Sequence, residues 1–341
     1  MRVLITGGAG FIGSHLAERC LQEGWKVSVL DDLSTGSLEN ILHLKDCAEF
    51  NFTLGSVLDR PLLTELLEGC DLVFHLAAAV GVRLIVDNPV RTIETNVNGT
   101  AVLLAAAARN QIPLIIASTS EVYGKSTAIP FREDADLVLG ATTKARWSYA
   151  ASKALDEFLG IAYWTHSGLP VTIIRLFNTV GPRQTGRYGM VLPSFVRQAV
   201  RGEPITVYGS GAQRRCFSYV GDVVKAILRL AQTPGIAGEV VNIGNNEEIT
   251  IRDLAHLVKE IADSTSPIVH MSYEEAYGVG FEDMARRVPC LEKLERLTGD
   301  RPQTPIRTII RTVVEHERMQ PRPWGIFACH QVSKAAAATE A

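Results

Sequence analysis

Seven residues near the start of the chain, Gly7-Gly8-Ala9-Gly10-Phe11-Ile12-Gly13, restrict the fold more than any other segment. They lie between an apolar strand-like run, Val3–Thr6, and a helical pattern, His15–Gln22. Glycines at 7, 10 and 13 meet three demands: a tight turn, close approach of backbone N–H groups to a pyrophosphate, and close packing of helix on strand. Alone the pattern is weak, but set between a strand and a helix it is specific.

Further strand-like runs follow at Val27–Leu30, Leu72–Ala77, Leu114–Thr119 and Val171–Leu176, with helical patterns between them such as Val97–Arg109. The alternation predicts an α/β fold, a doubly wound parallel sheet covered on both faces. After Pro182 it loosens into shorter patterns, Leu192–Arg201 and Asp222–Ala231. Thr250 then reads as the N-cap of a helix through Val258. We expect a dinucleotide-binding domain over 1–178, with segments returning from the C-terminal half. A smaller α/β substrate lobe over 179–320 and a tail over 321–341 complete the expected organisation.

The second strand ends in Asp31, placed to accept hydrogen bonds from ribose hydroxyls. A carboxylate there repels a 2′-phosphate, which favours NAD over NADP. Ser56 and Val57 are candidates for the adenine pocket. With 34 basic and 37 acidic residues and no basic stripe, a nucleic-acid partner has little electrostatic support. No apolar stretch has membrane-spanning length. The six cysteines show no metal-ligand spacing and read as reduced thiols, so we expect a cytoplasmic protein without a metal.

Ser118-Thr119-Ser120-Glu121 closes one apolar run, and Ser148-Tyr149-Ala150-Ala151-Ser152-Lys153 opens a helix. Tyr149 and Lys153, four apart, share a helix face. A phenol of ordinary pKa ~10 needs nearby positive charge to act as a base, and Lys153 and oxidised nicotinamide both supply it. Thr119 completes a set suited to taking a proton from a substrate hydroxyl while hydride leaves. Tyr-x-x-x-Lys alone is a common accident; after a dinucleotide turn and a strand ending in Ser-Thr it is not.

With these segments together, the sequence resembles the extended short-chain dehydrogenase/reductases of the nucleotide-sugar epimerase/dehydratase/decarboxylase group over roughly residues 1–312. Carrying the resemblance are Leu4–Gly13, His75-Leu76-Ala77-Ala78, Asn96-Val97, Ser118–Gly124, Tyr149 with Lys153, and Asn178–Arg183. Val207-Tyr208-Gly209, Arg215–Val220 and Asp222 extend it. It implies a Rossmann-type sheet and NAD that stays bound through the cycle. Phe11, Ile12, Leu76, Ala77, Ala78 and Asn96 would join Gly7, Gly10, Gly13 and Asp31 at the cofactor. It also implies a homodimer formed through helices near 97–109 and 150–164.

For the substrate, the resemblance implies a UDP-sugar held by Asn178, Val191, Phe195, Tyr208, Gln213, Arg215 and Arg287. Arginine offers planar, multidentate donors to a diphosphate. Cys290 stands where the group usually has an acid. Arg183 suits a uronate, since a neutral hexose has no use for a guanidinium near C6; Arg146, three residues before Tyr149, resembles other uronate decarboxylases.

Three fates compete for a C4 ketone: return of hydride to the opposite face, loss of CO2 from a β-keto acid, and elimination of a C6 hydroxyl. Thr119-Ser120-Glu121 resembles the Thr-Ser-Glu of UDP-glucuronate decarboxylases. The 4,6-dehydratases usually carry an acid where Ser120 stands, and simple 4-epimerases a small residue where Glu121 stands. We therefore expect a UDP-glucuronate decarboxylase giving UDP-xylose. A UDP-glucuronate or UDP-glucose 4-epimerase is the alternative, with a dehydratase or a non-catalytic NAD-binding protein behind.

Overall fold

The computed structural model describes residues 1–81, 88–186, 190–277, 284 and 286–320. The expected tail over 321–341 lies outside them.

The first half alternates β1 (Arg2–Thr6), α1 (Phe11–Gln22), β2 (Lys26–Asp31), β3 (Phe50–Leu54), α2 (Arg60–Leu66) and β4 (Leu72–His75). It continues through α3 (Pro89–Ala108), β5 (Leu114–Thr119), α4 (Trp147–Ser167) and β6 (Val171–Leu176). After β7 (Thr179–Val180), α5 (Val191–Arg201), β8 (Ile205–Tyr208), β9 (Arg214–Cys216), β10 (Ser218–Tyr219) and α6 (Val220–Gln232), the chain returns as β11 (Val240–Ile243). The last elements are β12 (Glu248–Thr250), α7 (Ile251–Ile261), β13 (Ile268–Met271), α8 (Tyr273–Tyr277), β14 (Arg286–Arg287), α9 (Glu292–Thr298) and α10 (Ile306–Met319).

Seven strands form one sheet in the order β11-β6-β5-β4-β1-β2-β3, every neighbouring pair parallel. The order reverses between β1 and β4, and the crevice at their carboxyl ends is where such sheets take ligands. β5 and β6 run in register from Leu114 opposite Val171 to Thr119 opposite Leu176. Both are almost wholly buried, which is why their continuous apolar runs gave their ends. Several expected boundaries differ, α1 for one beginning at Phe11 rather than His15. β4 stops at His75, where the chain leaves the sheet as Leu76–Ala79 beside the crevice. α3 begins at Pro89 rather than Val97, because a proline fits the first helical turn and the polar residues after it still present a buried Thr92 and Asn96.

One core packs α1 and α6 on a face of the sheet, and another packs α2, α3 and α4 on the opposite face. A further core, centred on Leu192, Val196, Leu254 and Ile310, joins α5, α7 and α10 beyond the sheet. As expected, Thr250 caps α7, its hydroxyl accepting the Asp253 N–H at 3.0 Å. The small sheet β12-β9-β14 runs through this half and sets Arg215 opposite Arg287 in parallel register. Among the described residues, no helix is long and apolar enough to cross a membrane.

Candidate active site

The turn between β1 and α1 is shaped for close approach. Gly7 has φ +73°, and a Cβ there would come within 2.7 Å of the Ala77 backbone nitrogen. A side chain at Gly13 would collide with the Gly7 carbonyl. Asp31 ends β2 beside this turn; its Oδ2 accepts the Ala9 N–H at 3.0 Å and its Oδ1 the Leu33 N–H at 2.8 Å. Burial raises its pKa, with the two N–H groups acting in the other direction. A bare turn at a helix N-terminus next to a buried carboxylate fits a pyrophosphate joined to a ribose diol. Phe11 and Ile12 pack against the first core, Val57 is buried, and the Ser56 hydroxyl accepts the Leu58 N–H. Asn96 takes the Ala79 N–H at 2.8 Å and donates to Ser152 Oγ at 3.1 Å, tying the Leu76-Ala77-Ala78 segment to α4.

β5 ends in Thr119, whose hydroxyl accepts the Glu121 N–H at 3.2 Å and so starts a single 3-10 turn, Ser120–Tyr123. That turn carries Glu121 to Arg146 at the start of α4 and Arg287 on β14. Opposite it, α4 carries Tyr149 and Lys153, with the C-cap Gly168 closing its far end. Tyr149 is buried and its hydroxyl is hydrogen-bonded with Thr119. Its pKa is raised, by burial first and then by the Glu121 and Asp156 carboxylates. Ser120 lies buried beside Glu121.

Glu121 sits between two guanidinia, with Arg146 Nη1 at 2.5 Å from Oε2 and Arg287 Nη1 at 2.5 Å from Oε1. Burial alone pushes this carboxyl upward, but Arg287 and Arg146, with Arg215 behind them, bring it down to about 2. All three arginines are buried. Arg146 also lies 5.0 Å from the Trp147 ring centroid.

A second polar cluster lies under α4. Lys153 Nζ is 2.6 Å from Asp156 Oδ2, with both side chains almost fully buried. His75, at the end of β4, bonds through Nδ1 with Thr6 Oγ1 at 2.7 Å and through Nε2 with Thr100 Oγ1 at 3.1 Å. Burial, and then Lys153, hold His75 neutral with a pKa of about 3. A brace stands beside these groups: Ser118 and Arg175 both bond Glu157, the Arg175 Nη2–Oε2 distance being 2.8 Å.

Other sequence candidates lie elsewhere. Arg183 was expected near a sugar carboxylate, but its guanidinium bonds Glu18 at 2.5 Å and Ser14 Oγ at 3.3 Å on α1. Asn178 turns its amide to the Cys216 carbonyl at 2.8 Å. Phe195 faces the interior of the third core, with Val191 at that core's margin. Tyr208 and Gln213 form a separate group, Gln213 Nε2 donating to the Tyr208 carbonyl at 3.3 Å and the Tyr273 hydroxyl at 2.9 Å. Asp156 and Thr100 escaped sequence reasoning. A Lys-x-x-Asp spacing is ordinary on exposed helices, and nothing local tells a buried pair from a solvated one.

The model of the NAD dependent epimerase/dehydratase family matches residues 3–244. The UDP-N-acetyl-alpha-D-glucosaminuronate decarboxylase of Bacillus cytotoxicus is 43% identical over 302 residues, covering 88% of this chain and 92% of that protein. UDP-glucuronic acid decarboxylase 1 of Danio rerio is 35% identical over 317 residues, 92% of this chain and 72% of that one. Among solved structures, UDP-glucuronic acid 4-epimerase from Bacillus cereus, in complex with UDP-glucuronic acid and NAD, superposes with a TM-score of 0.83 at 28% identity. That similarity covers 93% of this chain and 99% of the epimerase.

Proposed function

The chain belongs to the NAD-dependent epimerase/dehydratase family, and from that premise we propose that it decarboxylates a UDP-hexuronate, converting UDP-glucuronate to UDP-xylose. The observation that carries the reading is Glu121 held between Arg146 and Arg287 next to Tyr149. Arginines gathered around the reacting end suit a sugar that carries its own carboxylate.

NAD bound at the Gly7–Gly13 turn supplies a hydride acceptor that becomes the donor within the same cycle. The residues do the rest. Thr119 orients the C4 hydroxyl and Tyr149, as phenolate, removes its proton; Lys153 supplies the positive charge that makes the phenolate accessible. The C4 ketone lies β to the C6 carboxylate, so the C5–C6 bond breaks with its electrons delocalised into the ketone. A proton then adds at C5, and reduction of the ketone with proton return from Tyr149 completes a pentose. Glu121 fixes the guanidinia that hold the anionic substrate, and buried Ser120 lies at the same turn to orient the reacting group. Arg215, Tyr208 and Gln213 belong to the lobe that takes the diphosphate and base.

The Bacillus cytotoxicus relative favours a second reading in which C2 of the uronate carries an acetamido group. Incubation with UDP-glucuronate, UDP-N-acetylglucosaminuronate and UDP-glucose separates these. Release of CO2 with a UDP-pentose is expected from a uronate and not from UDP-glucose. UDP-galacturonate without CO2 would establish 4-epimerisation instead.

The working unit we propose is a homodimer in the cytoplasm. α3 and α4 pack on each other and leave Val90, Ile93, Leu155 and Phe158 exposed, a pairing of apolar helix faces that a second copy would cover. Phe158→Glu is expected to yield monomers by light scattering. The described cysteines are all free thiols, as a reducing compartment keeps them.

A further inference from the structure

We propose that Asp156 is a positioning residue for the reaction: it fixes the Lys153 ammonium one turn along from Tyr149 and limits how much of that charge reaches the phenol. The inference rests on reading Tyr149 as the base, and it concerns the chain's own control of that base.

Three observations support it. First, the 2.6 Å pair is among the driest in the molecule, with side-chain exposures of 2% for Lys153 and 0% for Asp156. A solvated pair at this spacing would be screened and worth little. Here neither charge is screened, so Lys153 cannot swing between rotamers without stranding a buried carboxylate. Second, Asp156 Oδ1 is buried without a well-formed hydrogen bond. The Thr100 hydroxyl faces the carboxylate and favours its charged form, against the burial that disfavours it. A half-satisfied carboxylate is costly to keep in an interior, and a lysine could be neutralised more cheaply at the protein surface. Third, the Asp156 carboxylate is close enough to Tyr149 to disfavour the phenolate, in the same sense as Glu121.

The carboxylates acting on the phenol are therefore Glu121 from the turn after β5 and Asp156 from α4, the latter paired with Lys153. Glu157 acts on Asp156 from the next position of α4. His75 faces Lys153 from β4 but is held neutral, so it contributes no counter-charge. Asp156 is thus the group that sets the balance on the lysine side. It makes the lysine rigid and leaves the phenol less acidic than Lys153 alone would.

The test follows phenolate absorbance against pH in the NAD-loaded protein, taking each variant's difference from its Tyr149→Phe counterpart. Asp156→Asn is expected to move the Tyr149 midpoint down by roughly one pH unit, and the acid limb of the UDP-glucuronate kcat profile with it. Asp156→Glu, which keeps the charge, is expected to stay near the parent. In a Lys153→Met background, Asp156→Asn should move the midpoint less, because the charge it unmasks is gone. Asp156→Ser carries the same test if the Asn chain does not fold. An unmoved phenolate midpoint overturns the proposal. Loss of fold in both neutral variants also overturns it, by making the carboxylate structural. A shifted phenolate without any turnover of UDP-glucuronate would leave this inference standing and remove the substrate reading; turnover with an unshifted phenolate would do the reverse.

Discussion

Two buried charge clusters flank Tyr149 and are composed differently. On the α4 side one ammonium meets one carboxylate, Lys153 with Asp156, and the neighbouring His75 is neutral. On the β5 side, among the described residues, the Glu121 carboxylate touches the Arg146 and Arg287 guanidinia, with Arg215 behind them. The matched pair is local, three residues apart on one helix, and it holds a geometry. The other cluster draws on β9, β14 and the start of α4, elements far apart in the chain. In the proposed reaction the first cluster acts on a group of the protein and the second on a group of the substrate.

The comparison predicts a graded set of outcomes. Both clusters serve the phenol, so Tyr149→Phe is expected to cost the most, ~10²–10⁴-fold in turnover, with NAD still retained by the purified protein. Unchanged turnover would show that Tyr149 is not the base. Arg287→Ala acts on the recognition side alone. It should raise KM for the uronate about 10- to 100-fold, the worth of a charge-assisted hydrogen bond, and change UDP-glucose binding much less. Equal losses for the acidic and the neutral sugar would show that the guanidinia do not read the carboxylate.

Acid separates the two sides by order. The folded pKa of His75 is depressed, so its contribution is fully present above pH 6.5 and is lost as pH falls toward about 3. The slope in that window is about 1.4 kcal/mol per pH unit, measurable by denaturant unfolding, and His75→Asn should flatten it. Glu121 is depressed as well, so its contribution is present above the usual carboxylate range and is lost only as pH falls through about 2. The α4 side therefore weakens first. The smallest expected effect is that of Thr100→Val, which removes the partner of His75 Nε2 and should cost about 1 kcal/mol in unfolding with no change in uronate KM.

Much of this could be read from the chain alone, for reasons that differ by residue. β5 and β6 are buried on both faces, so uninterrupted apolar runs marked their ends. The Gly7–Gly13 turn and the Tyr149–Lys153 spacing are local, and local signals survive in sequence. β11 was harder: four residues, Val240–Ile243, far along the chain from the β6 strand they join. Arg287 was singled out and so was Glu121, but nothing local announces that they touch across 165 intervening positions. Arg183 differs in another way. Its residue type suits an acidic sugar, yet α1 presents Glu18 at a distance no sequence pattern encodes. Asp156 stayed hidden because burial, rather than spacing, gives it its role.

The parallel register of β9 and β14 has an evolutionary consequence. Arg215 and Arg287 stand opposite each other on one small sheet, outside the seven strands that carry the dinucleotide turn. In the proposed reaction, substitutions in that sheet are expected to act on which sugar is accepted while the dinucleotide turn stays intact. The fold thus separates inherited chemistry from adjustable taste, and new substrates become reachable by drift in a few strand positions instead of by rebuilding an enzyme.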